Sequence, residues 1–179
     1  MSEALFGLLG TLFGFALGEL ANLLRTIRQE RREARNVRAL IRLEIGRNLE
    51  RIRALIERLM PERTPATNES ERKNRAQRLI EASAPELSRD ALGAFLPKLP
   101  ATLNEVQIGK VLSHYEGIAK LNLLYARLVE LQDVQRQLWS GYRAGQGTPP
   151  SMPFNIQSPE IWAEYETLLL AADQADNPL

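Results

Sequence analysis

Few residues in this sequence could carry out catalysis. The only histidine, His114, is followed by Tyr115 and Glu116, and these three form the one group that resembles an acid–base site. Neighbouring residues of a helix point in different directions, so these side chains cannot converge on one substrate. The chain also contains no cysteine, which excludes thiol nucleophiles, disulfides and cysteine-ligated metals. We therefore predict that the protein is not an enzyme and has no cofactor.

The charged residues favour neither a metal nor a nucleic acid. The acidic residues from Glu160 onward lack the closely spaced oxygen ligands of calcium and magnesium sites. Lys and Arg total 23 against 22 Asp and Glu, so the chain as a whole is not a polycation. Between Arg25 and Arg58 there are eleven Arg, but five Glu interrupt them and no aromatic residue is present to stack on bases. This pattern argues against nucleic acid as a partner.

Four glycines near the N-terminus are spaced for contact between helices. Gly10, Gly14 and Gly18 form two overlapping GxxxG patterns, and Gly7 extends the same stripe. A stripe without side chains lets two helix backbones approach closely, which stabilises helix pairs in membranes. We predict that these glycines, with Glu19 beside them, form an interaction face toward other transmembrane helices, either of this protein or of a larger complex. The alternative is an incidental stripe, because glycine is common in membrane helices.

The sequence around these glycines is apolar enough to enter a bilayer. Ala4 to Gly18 is a run of 15 uncharged residues, and the apolar character continues past Glu19 to Leu24. A helix over residues 4–24 would be about 31 Å long, which matches the hydrocarbon core of a bilayer. We predict a single transmembrane anchor within residues 1–24. The alternatives are an apolar helix buried in an oligomer and a helix lying on a membrane surface.

Arginines follow the predicted anchor and decide its orientation. Only Ser2 and Glu3 lie between Met1 and the apolar run, whereas the other side begins with a row of arginines: Arg25, Arg28, Arg31, Arg32 and Arg35. Positive charge collects on the cytoplasmic side of membrane helices, so we expect the N-terminus outside and the C-terminal part in the cytoplasm. At that position these arginines would contact the lipid headgroups, which makes membrane lipids a predicted partner.

The rest of the chain has the pattern of an all-α protein. No proline occurs between residue 24 and Pro61, so the anchor is expected to continue as a long Arg-rich helix over residues 25–60. Apolar residues then recur at steps of three and four, which predicts a buried face: Val37, Ile41, Ile45, Leu49, Ile52, Ile56 and Leu59. Four further helices are predicted, over residues 68–83, 88–96, 104–142 and the stretch from 158 onward. Ser88 and Ser158 are suited to the N-caps of the second and the last of these.

These elements predict a small antiparallel helical bundle on the cytoplasmic side. It would comprise residues 61–179 and be completed by residues 37–60 of the long helix. For the function we expect a membrane-anchored accessory subunit, scaffold or adaptor that acts through helix–helix association. The alternative is an oligomeric membrane-active protein, forming or gating a pore, that the helical domain regulates.

Overall fold

The computed structural model describes residues 2–81, 84, 86–143 and 158–175. Within these ranges the following side chains are not described: those of residues 2–11, 135, 138, 139, 141–143, 158 and 159. The described residues form helices without any strand, which confirms the all-α prediction. The first helix, α1 (Ser2–Leu59), is unbroken over 58 residues. Its length is about 87 Å at 1.5 Å per residue.

Only the C-terminal half of α1 is packed against other helices. The predicted apolar face is confirmed there, with exposed fractions between 0% for Ile41 and 6% for Leu49. From Leu12 to Asn36, in contrast, every side chain is exposed except those of Ile27 and Ala34, which are partly exposed. Helix α1 therefore extends from one end of the bundle as a single rod.

After α1 the chain returns along this helix in short elements. Helix α2 (Glu69–Glu81), helix α3 (Asp90–Phe95), a 3₁₀ turn (Leu96–Lys98) and helix α4 (Leu99–Thr102) follow one another. Asn68 caps α2, since its side-chain oxygen accepts a hydrogen bond from the Glu71 N–H at 2.8 Å. At the end of the return, Arg38 of α1 donates a hydrogen bond to the Thr102 carbonyl at 2.7 Å.

Helix α5 (Glu105–Arg143) runs parallel to α1. One core cluster joins residues 37–49 of α1 to residues 99–115, and a second joins residues 52–60 to residues 118–128 of α5. Residue numbers thus rise together along both long helices. The predicted antiparallel packing is wrong for this pair, because the segment between α1 and α5 makes the return journey and α5 starts again from the same end of the bundle.

Helix α6 (Ser158–Gln174) completes the second of these two clusters, here called the upper core cluster. Trp162, Tyr165 and Leu169 are at most 2% exposed, and the rings of Trp162 and Tyr165 stack with centroids 5.7 Å apart. An aromatic cluster of Trp162 with Trp139 and Tyr142 is also expected from the sequence. The side chains of Trp139 and Tyr142 lie outside the described part of the structure.

A buried ion pair joins α2, α6 and the loop after α1. The Arg75 guanidinium donates to the Glu166 carboxylate, to Glu71 at 2.5 Å and to the Thr64 carbonyl at 2.8 Å. The other oxygen of Glu166 accepts the Ala66 N–H at 3.0 Å. The side chains of Arg75 and Glu166 are 9% and 2% exposed, so each charge depends on the other for compensation.

We expect Arg75→Met to lower the free energy of unfolding by about 3–5 kcal/mol, because Glu166 would be left as an unpaired buried charge. Lys73→Met is the matched control, since Lys73 forms only an exposed pair with Glu69 in the same helix. Its effect should be about 0.5 kcal/mol or less. Urea unfolding followed by circular dichroism measures both, and equal effects would show that the buried pair is not what holds α2 and α6 together.

Candidate functional site

An uncovered apolar surface belongs to residues 12–36 of α1, here called the free segment. Its large apolar side chains form a broad face around Leu23, and none is buried by described residues. Phe13 is 72% exposed, Phe15 69% and Leu23 58%. Scattered apolar residues are normal on protein surfaces, but a contiguous set of this size usually marks a contact with a membrane or another protein.

The predicted glycine face lies on this part of α1. A Cβ atom added at Gly14 or Gly18 would meet no atom within 4 Å, so both positions face open space. Glu19 beside them is exposed. The positions of Gly7 and Gly10 fall among residues whose surroundings are not described. The glycine face is thus free to receive another helix, and contact with one stays a prediction.

Among the residues that the structure describes, no helix is long and apolar enough to cross a membrane. Residues 4–11 of the predicted span lie outside the described side chains. The transmembrane span is not supported by this finding and stays a prediction.

The five arginines predicted to lie at a membrane surface form a collar between the apolar residues and the bundle. All of them are exposed, and Arg35 donates a hydrogen bond to the Arg31 carbonyl at 3.2 Å; the others are Arg25, Arg28 and Arg32. Within the collar, Glu33 meets Lys98 at 3.5 Å, which ties α1 to the lower end of the bundle. The last residues of the collar therefore overlap the first tertiary contact of α1.

The bundle and the glycines lie on opposite sides of α1. Residues 18 apart share a face of a straight α-helix, because about five turns of 3.6 residues separate them. Leu23 therefore shares its face with Ile41 and Leu59, which are buried in the bundle. By the same rule Gly14 shares its face with Arg32, which is exposed. A second helix could reach the glycine face without meeting the bundle.

A cluster of polar groups surrounds Glu44 where α1, α3 and α5 meet. Its carboxylate accepts hydrogen bonds from the Tyr115 hydroxyl at 2.5 Å, the Ser88 hydroxyl at 2.7 Å and the Ala91 N–H at 2.9 Å. Burial raises the pKa of Glu44, but these hydrogen bonds outweigh burial, so the pKa lies below its usual value of 4.5. Glu44 thus acts as a charged acceptor that fixes three elements.

The neighbours of Tyr115 do not join this cluster as an acid–base group. His114 packs edge-on against the Tyr115 ring, with centroids 5.6 Å apart, and Glu116 is exposed. Burial lowers the pKa of His114, although the Glu44 charge opposes this shift. Sequence reasoning did not identify Glu44, because its partners are 44 to 71 residues away along the chain.

Neither a metal site nor a relative identifies a function. Among the described residues, no three carboxylate or imidazole side chains converge as metal ligands would. Comparisons with protein-family models, with curated proteins and with solved structures find no match. The uncovered surface of α1 and the clefts of the bundle are therefore the features from which function must be inferred.

Glu44→Gln should make stability less dependent on pH. Because the pKa of Glu44 is lower in the folded state than its usual 4.5, the stabilisation is complete above pH 4.5 and is lost as the pH falls through the lowered value. We expect the variant to be less stable than wild type at pH 7, with the difference shrinking below pH 4.5. Urea unfolding at several pH values tests this, with exposed Glu50→Gln as control. A constant difference would contradict the account.

Proposed function

We propose that the protein is a non-enzymatic, membrane-anchored accessory protein. In this proposal the N-terminal part of α1 enters a bilayer, and the bundle stands on the cytoplasmic side, where it holds a partner. The observation that carries it is the exposure of the large apolar side chains of residues 12–24, which no described part of the chain covers. Burial of one such side chain stabilises by about 1.5–3 kcal/mol, so transfer of the whole set from water into lipid or a protein contact is strongly favoured.

The arginine collar supports a lipid cover. Arg25 follows the apolar residues directly, and four further exposed arginines occur before Asn36. Arginines placed at the headgroups attract an anionic leaflet by about 1 kcal/mol each. Because the collar lies on the side of the apolar residues that leads to the bundle, its positive charge also supports an orientation with the bundle in the cytoplasm.

The position of the bundle favours a steep entry of α1 over a helix lying flat on the membrane. A flat helix would turn its apolar face, which includes Leu23, toward the lipid. The bundle packs on that same face through Ile41 and Leu59, so it would be driven into the bilayer. A helix that enters along its axis avoids this conflict, because the first contact of the bundle, at Glu33, lies nine residues after the end of the apolar stretch at Leu24.

The glycine face supports association of the inserted helices. Gly14 and Gly18 face open space on the side of α1 that points away from the bundle. Two copies could therefore pair through this face while their bundles remain on the outside. Close backbone contact of this kind stabilises helix pairs in lipid, where the hydrophobic effect contributes little to pairing.

If the free segment enters a bilayer, wild-type protein should remain with membranes after a carbonate wash. The double change Phe13→Asp and Leu17→Asp should release it, because each aspartate near the centre of a span costs about 3 kcal/mol. The matched control is Leu40→Asp with Leu43→Asp, at positions of comparable exposure on the bundle. Release of the wild-type protein, or retention of the free-segment variant, would rule out the anchor.

Gly14→Ile should weaken association without preventing insertion. The branched side chain would separate two packed backbones, whereas isoleucine is more apolar than glycine and still enters lipid. Leu12→Ile, on another side of α1, is the control and should leave the size of the complex in detergent unchanged. If both variants run at the wild-type size, the glycine face is not an interface.

A further inference from the structure

The segment from Glu86 to Ser88 lies in a cleft between α1 and α5 and is held there by side chains. Asn48 of α1 accepts the Ser88 N–H at 3.0 Å and donates to the Ser88 carbonyl at 2.8 Å. Asn122 of α5 does the same to Leu87, with distances of 3.1 and 2.8 Å. Two asparagines on different helices thus bind the main chain of two successive residues.

Main-chain bonds of this kind do not depend on the sequence of the bound segment. A side-chain amide carries one acceptor and two donors, so it can pair with the N–H and C=O of any residue except proline. A further bond to the main chain runs from the Arg51 guanidinium to the Glu86 carbonyl at 2.8 Å. Together these contacts satisfy the Glu86 carbonyl and the main-chain N–H and C=O groups of Leu87 and Ser88 from both sides of the cleft.

Side-chain contacts add a preference for certain residues. Leu87 is 3% exposed and fills a position in the upper core cluster. The Ser88 hydroxyl donates to the charged carboxylate of Glu44 at 2.7 Å. The cleft therefore selects a leucine followed by a residue with a hydroxyl group.

The cleft continues on both sides of the bound segment. One end, of about 620 Å³, runs along α5 past Asn122, Tyr125 and Val129. The other, of about 520 Å³, lies between α1 and α3 and is lined by Leu40, Leu43 and Arg47 together with Asn48. The residues that flank the held segment line both ends, with Ala84 at one and Asp90 and Ala91 of α3 at the other.

We propose that this cleft is a binding groove for an extended peptide of another protein, and that residues 86–88 occupy it in cis as an internal competitor. The ligand would carry a leucine followed by serine or threonine. A segment of another protein is favoured over a second copy, because a copy would have to release its own segment from an identical cleft before offering it. The inference rests on the part of the proposed function in which the bundle holds a partner, and it does not require α1 to enter a membrane.

Competition in cis predicts which variants bind. A tethered segment acts at an effective concentration on the order of millimolar, so wild-type protein should bind a free peptide weakly. Leu87→Ala removes the buried side chain of the internal segment and leaves the groove intact. This variant should bind the free peptide at least about tenfold more tightly than wild type.

The probe is a labelled synthetic peptide with the sequence of residues 84–91, titrated by fluorescence anisotropy into the full chain in detergent. We expect tight binding to Leu87→Ala, loss of that gain when Asn122→Ala is added, and no binding of a peptide with aspartate in place of its leucine. Ser88→Ala, a milder change, should give a smaller gain. No gain in a folded Leu87→Ala variant, or a gain that survives Asn122→Ala, would overturn the proposal.

Two further measurements complete the test. If the Leu87→Ala variant does not fold, nuclear magnetic resonance of wild-type protein at millimolar peptide must show shifts of the Asn48 and Asn122 side-chain amides, and their absence would also overturn the groove. The second measurement is the oligomeric state of the Gly14→Ile variant. If this variant still forms a dimer and the added change Leu87→Ala dissociates that dimer, the occupant of the groove is a second copy, which would contradict a foreign partner. The carbonate wash tests the anchor independently, so failure of one proposal is distinguishable from failure of the other.

Discussion

Helix α1 is one continuous helix that passes from the free segment into the core of the bundle. Nothing between Ser2 and Leu59 interrupts the backbone hydrogen bonds of this helix, so the direction in which each side chain points is fixed along its whole length. The face that is buried from Val37 onward is consequently the face that presents Leu23 and Ile27 lower down. Bundle and free segment cannot rotate relative to each other, and an environment that covers one end determines how the other is oriented.

Apolar packing alone does not fix how the remaining helices sit on α1. The side chains that do so are polar and buried or partly buried: Glu44 and Asn48 at mid-height, and the pair of Arg75 and Glu166 near the top. A buried polar group requires its partners, which makes an alternative register costly. Side-chain contacts make the segment at Leu87 a specific occupant of its cleft, because Leu87 fills the upper core cluster and the Ser88 hydroxyl donates to Glu44.

The elements of the fold could be predicted from the sequence, since they depend on local signals. The apolar period from Val37 to Leu59 identified the buried face. Polar composition placed α2 and a second apolar period placed α5, and in the structure Asn68 and Asn104 cap these two helices. Ser88 gave a less accurate start, because Asn48 binds its main chain and α3 begins only at Asp90.

The arrangement of the elements could not be predicted in the same way. A parallel and an antiparallel pair of long helices have the same apolar period, so the direction of α5 depended on how far the intervening segment travels. The bonds of Asn48 and Asn122 join residues 35 to 40 positions apart, and no spacing in the sequence indicates them. The apolar character of the free segment, in contrast, could be read from the sequence, because it depends only on which residues are present.

Entry of α1 into the bilayer along its axis, with the bundle on the cytoplasmic side, can be measured directly. The chain has no cysteine, so single cysteines placed in turn at residues 12–24 can carry a nitroxide label in lipid vesicles. Depth measured by paramagnetic relaxation should change steadily along the series, by about 1.5 Å per residue for a steep helix. A depth that rises and falls about every 3.6 residues would show a helix lying on the surface, and labels accessible to water throughout would show that lipid does not cover this segment.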